Sequence, residues 1–203
     1  DNVTIQDCTF NATAAVEDVV GAKFRSLNGN VIVENSSANG MHSLLQLSSC
    51  GEANVTVDGV VIADCKNGIS LQYSNNVIKN TNISTREYGV RVDGAVAATS
   101  FENTEITATL PVVVRKMKAN SNYTLNFDAT TLNAPGYQVV LTTGNDDGVF
   151  VAPADDTYTL TGADSYLVFP VADDTFVYSA AQLQHVLDNV AGDTTIQFAA
   201  NIE

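Results

Sequence analysis

The sequence predicts an all-β fold, a right-handed parallel β-helix: a solenoid of about six rungs, then a short C-terminal amphipathic helix and strand. Two observations carry this. Columns of like residues return about every 22 positions, and the composition favours strands and tight turns. Of the 203 residues 45% are hydrophobic, enough for a core without staples, and only 16% are charged, against roughly 25% in ordinary soluble domains. Asn, Thr, Ser and Gly replace the missing charges, which suits turn-rich β-structure better than helices.

The register is anchored by Ile5, Val33, Val57, Ile78, Phe101 and Phe127, spaced 28, 24, 21, 23 and 26 residues apart. Five residues after each anchor stands Phe10, Ala38, Ile62, Ile83, Ile106 or Leu132. Two residues after each stands Asp7, Asn35, Gly59, Asn80, Asn103 or Ala129, a column of turn chemistry. A third column consists of short alternating strands with inward pairs Leu45 and Leu47, Ile69 and Leu71, Val90 and Val92, Val112 and Val114, and Val139 and Leu141. Gly68, Gly89 and Pro111 stand as breakers beside three of these. Each repeat reads as strand, tight turn, strand, loop, strand, loop. One repeat has no way to bury its apolar face alone, but stacking at about 4.8 Å closes a continuous core. An antiparallel sandwich or propeller also alternates strands and turns, yet does not need one column to recur at this period.

The segments NVIVENSSA, NVTVDGVVI, NVIKNTNIS and TSFENTEIT resemble the repeats of the pectate-lyase-like (pectin-lyase-like) right-handed β-helix superfamily, over about residues 1–142. The resemblance implies that the turn asparagines Asn35, Asn80 and Asn103 point inward as a buried ladder of mutually bonded amides, the arrangement a buried amide needs. Asp7 and Gly59 depart from the pattern and interrupt the ladder. The resemblance speaks to fold more than to chemistry, because such scaffolds host lyases, hydrolases, esterases, adhesins and inert shafts. The GHG and RIK signatures of polygalacturonases are missing, as are the tryptophan-containing calcium motif of pectate lyases and the DFIFG-like segment of pectin methylesterases. The chain has no Trp, although sugar clefts usually offer aromatic platforms.

The sequence divides into residues 1–145 (rungs), 146–178 and 179–203. The middle part has a nine-residue period of aspartates at 146, 155, 164 and 173, three of them doubled by Asp147, Asp156 and Asp174. Between them GVFVA, TYTLT, YLVFP and TFVYS are strand-length runs, forming extra rungs or a meander. Asp146, Asp147, Asp155, Asp156, Asp173 and Asp174 are candidate calcium ligands, since carboxylates at loop tips are hard oxygen donors, but neither an EF-hand nor a glycine-rich nonapeptide is present. No other cofactor is implied. In the last part Ser179 to Gln182 form a capping box, Leu183, Val186, Leu187 and Val190 an apolar stripe, and Gly192 a stop. This unit resembles the beginning of many surface β-helices, so the chain reads as an excerpt of a longer array, with an open first rung prone to end-to-end self-association.

Net charge is −14, and the stretch from Ala119 to Glu203, with 11 acidic residues and no Lys or Arg, carries −11 of it. Such a surface repels phosphate backbones, so nucleic acid and anionic membrane are poor partners, and no apolar run is long enough to span a membrane. A carbohydrate or another surface protein suits the composition better. Asp1 opens the sequence without signal peptide or start methionine, which reads as a mature or excised piece. Cys8, Cys50 and Cys65 are too few and scattered for a disulfide framework or zinc site, and read as buried or turn thiols with one bridge at most.

Arg91, Asp93 and Arg115 are the candidate catalytic residues. With Val90 and Val92 inward, Arg91 and Asp93 point outward and Arg115 falls one rung from Asp93. A β-helix lyase would use an Arg or Lys as base and acids for calcium. The simpler expectation is a surface ion pair across the rungs. Lys116 and Lys118 continue the basic run RKMK as a solvated loop or a receptor for acidic glycan. Tyr73 and Tyr88 are placed in loops bordering consecutive rungs, as sugar platforms or as packing. His42 and His185 lack a nucleophile partner at recognisable spacing. Six glycosylation sequons begin at Asn2, Asn11, Asn35, Asn54, Asn82 and Asn122, with Asn35 expected to be buried. The leading expectation is a non-catalytic segment of a secreted or cell-surface β-helical protein, acting as adhesin, spacer or glycan-binding shaft. The alternative is a polysaccharide lyase or glycoside hydrolase of the pectin-lyase-like class.

Overall fold

The computed structural model describes residues 2–12, 18–50, 53–72, 75–94, 98–117, 122–144, 153, 158–169, 175–177, 183–184, 187 and 196–198. Strands recur in threes. The first rung is β1 (Val3–Gln6), β2 (Thr9–Asn11) and β3 (Val20–Arg25), and the second is β4 (Val31–Glu34), β5 (Ser37–Asn39) and β6 (Ser43–Ser48). The third and fourth are β7 (Val55–Asp58), β8 (Val61–Cys65) and β9 (Ile69–Gln72), then β10 (Asn76–Lys79), β11 (Asn82–Thr85) and β12 (Tyr88–Asp93). The fifth and sixth are β13 (Ala98–Glu102), β14 (Glu105–Thr107) and β15 (Leu110–Arg115), then β16 (Tyr123–Asp128), β17 (Thr131–Asn133) and β18 (Val139–Leu141). β19 (Tyr158–Thr161), β20 (Val168–Phe169), β21 (Thr175–Val177) and β22 (Ile196–Phe198) follow.

Strands of like position pair in parallel into three sheets, of seven, six and seven strands, one on each face of the solenoid. The chain is thus a parallel β-solenoid. The anchor residues face one another from rung to rung, Ile5 to Val33, Val33 to Val57, Val57 to Ile78, Ile78 to Phe101 and Phe101 to Phe127. The column from Phe10 to Leu132 does the same on the second face. The third-face pairs stack as Leu45, Ile69, Val90, Val112 and Val139.

Val33, Val57, Ile62, Ile78, Ile83, Val90, Val92 and Phe101 are sealed from solvent, and each such side chain contributes about 1.5–3 kcal/mol through burial. The Phe101 and Phe127 rings stack at 5.1 Å. The first rung is looser. Ile5, Phe10, Ala22 and Phe24 are only partly buried against this core.

The two glycines expected as breakers serve close approach instead of a turn. A Cβ on Gly89 would stand 2.2 Å from Ile106 Cγ2 and 2.6 Å from the Pro111 carbonyl oxygen, and one on Gly68 would stand 2.2 Å from the Gly89 carbonyl oxygen. The third face therefore begins where rungs touch backbone to backbone.

The stack continues beyond residue 145. β19 lies parallel on β16, with Leu160 facing Leu125, and β20 lies parallel on β18. The runs TYTLT and YLVFP are thus parts of a further rung, not hairpins of a meander, because side-by-side parallel pairing lets them continue existing sheets. The TFVYS run supplies β21, which pairs in parallel with β22 in a separate two-stranded sheet. GVFVA and the capping box at Ser179 lie outside the described residues.

Candidate functional site

At the corner between the first and second faces the backbone is left-handed in every complete rung. Asp7, Asn35, Gly59, Asn80, Asn103 and Ala129 have φ of 53°, 46°, 63°, 50°, 46° and 44°. These are the residues of the turn column. Asn, Asp and Gly tolerate this region best, which explains five of the six. Ala129 has no such help.

The corner corrects the expectation of inward asparagines. Asn35, Asn80 and Asn103 are all exposed. Asn103 Nδ2 donates to Asn80 Oδ1 at 2.9 Å and Asn80 Nδ2 donates to Asp58 Oδ1 at 2.8 Å, so two amides and a carboxylate run along the outside of three rungs. The chain turns through the left-handed residue, which leaves the following side chain to point inward. That next column is Cys8, Ser36, Val60, Thr81, Thr104 and Thr130. Ser36, Thr81 and Thr104 are each 3% exposed. Their hydroxyls donate to carbonyls two residues back, Glu34 at 2.7 Å, Lys79 at 2.8 Å and Glu102 at 2.9 Å. The Cys8 thiol makes the same contact with the Gln6 carbonyl at 3.2 Å. Hydroxyls, not amides, satisfy the buried side of the corner.

Beside the exposed amides lies an open groove of about 400 Å³, lined by Gly59, Asn80, Asn82, Asn103, Glu105 and Thr131 among others. Next to it, just before the corner, Lys79 pairs with Asp58 at 3.2 Å. The Asn80 amide holds the Asp58 carboxyl below its ordinary value; desolvation opposes it, and the hydrogen bond and charge of Lys79 add to the lowering. The outward side of the second face is mostly polar and neutral, through Thr9, Ser37, Asn82, Thr107 and Asn133, and is interrupted by the exposed Val61 and Glu105. Asn133 donates to both Glu105 and Thr107.

The third face differs. Asp93 and Arg115 do face each other across adjacent rungs, but they are 8% and 5% exposed, which corrects the expectation of a surface pair. Arg115 Nε reaches Asp93 Oδ1 at 2.6 Å and Nη2 reaches Oδ2 at 2.8 Å, a bidentate fork. Arg91 is third in line, its Nη2 3.7 Å from Asp93 Oδ2. Tyr88 is not in a loop. It opens β12, half-buried, with the Arg91 guanidinium 5.9 Å above its ring, and packs on a second apolar cluster of Leu110, Val113, Tyr137 and Val140. These residues point away from the main core, so β15 and β18 are buried on both sides.

The basic run RKMK is likewise divided by the alternation of inside and outside. Arg115 and Met117 are buried while Lys116 is exposed. Lys118 and Tyr73 lie outside the described residues, as do Asp146, Asp147, Asp155, Asp156, Asp173, Asp174 and His185. Among the described residues no group of three or more His, Cys, Asp or Glu is arranged to hold a metal.

All three cysteines are free thiols, and burial pushes the Cys65 thiol up. His42 contacts Asn67 at 3.3 Å. The asparagines of all six sequons are exposed, Asn35 included. Lys23 and Arg25, overlooked in the sequence, also belong to the third face. The alternation of Ala22, Lys23, Phe24 and Arg25 carried that signal one rung before the column was recognised.

Within the solenoid Asn76, Thr99 and Tyr123 form a polar chain. Asn76 Nδ2 donates to Thr99 Oγ1 at 3.1 Å, and the Thr99 hydroxyl shares a 2.8 Å bond with the Tyr123 hydroxyl. Burial raises the Tyr123 phenol well above its ordinary value.

The architecture and these surfaces define the class: a parallel β-solenoid with an amide-lined corner groove and a charged third face. Comparison with protein-family models, with curated proteins and with solved structures finds no match.

Proposed function

We propose that this solenoid is a non-catalytic shaft of a secreted or cell-surface protein, and that its corner groove and second face form a contact surface for neutral glycan or a partner protein. The observation that carries this reading is an outer wall mainly of Thr, Ser and Asn beside the groove, broken by Val61 and Glu105. Side-chain amides and hydroxyls repeated rung after rung suit the hydroxyls of an extended sugar chain, each offering donor and acceptor together. The buried fork between Asp93 and Arg115 supports the same reading. A carboxylate whose two oxygens are already occupied is poorly placed for proton transfer or for holding a cation.

The test is titration calorimetry of the chain with neutral oligosaccharides of increasing length, repeated on Asn82→Asp and Asn103→Ser. Heat that grows with length and weakens in both variants is expected. No heat with any oligosaccharide removes the glycan part of the reading. A polysaccharide lyase or glycoside hydrolase of the pectin-lyase-like class is the second reading, favoured by the cations on the third face. Release of reducing ends or unsaturated products from acidic polysaccharides, abolished by Arg91→Gln, would select it.

A further inference from the structure

The third face carries a second concavity, apart from the corner groove. It is a cleft of about 170 Å³, the room of roughly six waters. Lys23, Arg25 and Arg91 reach it. Lys23, Gln46, Ser70 and Arg91 are register partners in successive rungs, so the Lys23 and Arg91 backbones are three rungs, roughly 14 Å, apart. Cations thus stand at both ends of the cleft, with neutral donors and acceptors between them.

Cations outnumber carboxylates at this cleft. Its single carboxylate, Asp93, gives both oxygens to the buried Arg115 and lies 3.7 Å from Arg91 Nη2, so one negative charge is shared between two arginines. Lys23 and Arg25 are exposed and form no ion pair among the described residues. Arg91 Nε is buried without a hydrogen-bond partner there. Three of the nine basic residues of a chain with net charge −14 therefore surround one small cleft. Like charges gathered around one cleft repel, and an anion bound among them reverses the sign of that interaction.

We infer that the cleft between Lys23, Arg25 and Arg91 is a binding site for a small oxyanion, a carboxylate or a sulfate. Arg91 is the positioning donor, held over Tyr88 with donors to spare, and Lys23 and Arg25 supply long-range attraction from the first rung. The neutral floor of Gln46 and Ser70 bonds the rest of the ligand. The inference does not rest on the corner groove, whose proposed ligand is uncharged.

The experiment is calorimetric titration at constant ionic strength with sodium sulfate, sodium glucuronate and glucose as probes. The variants are Arg91→Gln and the exposed pair Lys23→Gln/Arg25→Gln, with Lys66→Gln as a control for net charge. Binding of sulfate or glucuronate but not glucose is expected, weakened about tenfold by Arg91→Gln, as loss of one charge-assisted hydrogen bond implies, weakened also by Lys23→Gln/Arg25→Gln through the lost attraction, and unchanged by the control. Binding of sulfate alone identifies a tetrahedral oxyanion, and of glucuronate alone a sugar-borne carboxylate. Absence of binding by both anions overturns the inference, as does equal weakening by Lys66→Gln. Thermal melts of each variant check folding, and Lys23→Gln/Arg25→Gln, fully on the surface, keeps the test valid if Arg91→Gln unfolds. Neutral oligosaccharide binding at the corner groove is unaffected by either result.

Discussion

The second and third faces of this solenoid are built by the same rule and end as opposite surfaces. On both, alternate residues point inward and stack in register, Ile62 on Ile83 on Ile106 and Val90 on Val112 on Val139. Outside the second face stand mostly short polar side chains, with Glu105 and Val61 among them, several bonded to one another. Outside the third stand a buried ion pair and a second apolar cluster. The difference teaches that the inner columns specify the solenoid, whereas the outer columns are free to vary and decide what each face meets.

The comparison breaks most easily at Asp93 and Arg115. Because both are nearly enclosed, Asp93→Ala or Arg115→Ala leaves a buried charge without its partner and costs about 3–5 kcal/mol. The paired change Asp93→Leu with Arg115→Met recovers most of that. Urea denaturation of the singles and the pair gives the coupling energy. A loss under about 1 kcal/mol in both singles, the range of an exposed pair, would return the third face to the character of the second.

The corner is the next test. Thr104→Val removes a hydroxyl from inside the corner and leaves the Glu102 carbonyl to lose its bond, at a cost of about 1–3 kcal/mol. The same change at the exposed Thr107 is expected within about 0.5 kcal/mol of no effect. Equal effects at the two positions would contradict an inward hydroxyl column.

Ala129 offers a gain. An alanine held at φ 44° bears a strain of roughly 1–2 kcal/mol that Asn tolerates better, so Ala129→Asn is expected to raise the melting midpoint. A lowered midpoint would show that this corner does not want the amide found at Asn80 and Asn103.

The smallest expected effect is the acid response of Asp58. Its carboxyl is held below the ordinary 3.8 by Asn80 and Lys79, so the stabilisation is present above that value and lost as pH falls through the lower folded value. Asn80→Ala should flatten this part of the stability curve below about pH 4, as acid titration of the melting midpoint would show. An unchanged slope would remove the Asn80 amide from the account.

How much of this was legible follows from what each signal measures. Periodicity reports which residues share an inner column, and the anchors from Ile5 to Phe127 face one another as the spacing required. It also marks where the chain must turn, since Asn, Asp and Gly accept the left-handed region at little cost. It does not report where a turn residue's own side chain goes. The inward placement of Asn35, Asn80 and Asn103 is what the family resemblance implies, and periodicity alone does not single out Ser36, Thr81 and Thr104, one place later, as the inward residues.

Alternation, for its part, shows on which side of a strand a residue lies and not how deep. Asp93 and Arg115 are outside the rung as read from Val92 and Val114, yet they are buried, because Tyr88, Tyr137 and their neighbours thicken that face.

The sequence by itself determined the parallel solenoid, its three strand columns and its corners, because each arises from local alternation and turn preference repeated at one period. Only the tertiary structure decided that hydroxyls line the inside of the corner and amides the outside. It also decided that one ion pair is sealed, and that Lys23, Arg25 and Arg91 share a cleft. Those features depend on which rungs lie side by side and how closely they approach, distances that no single strand encodes.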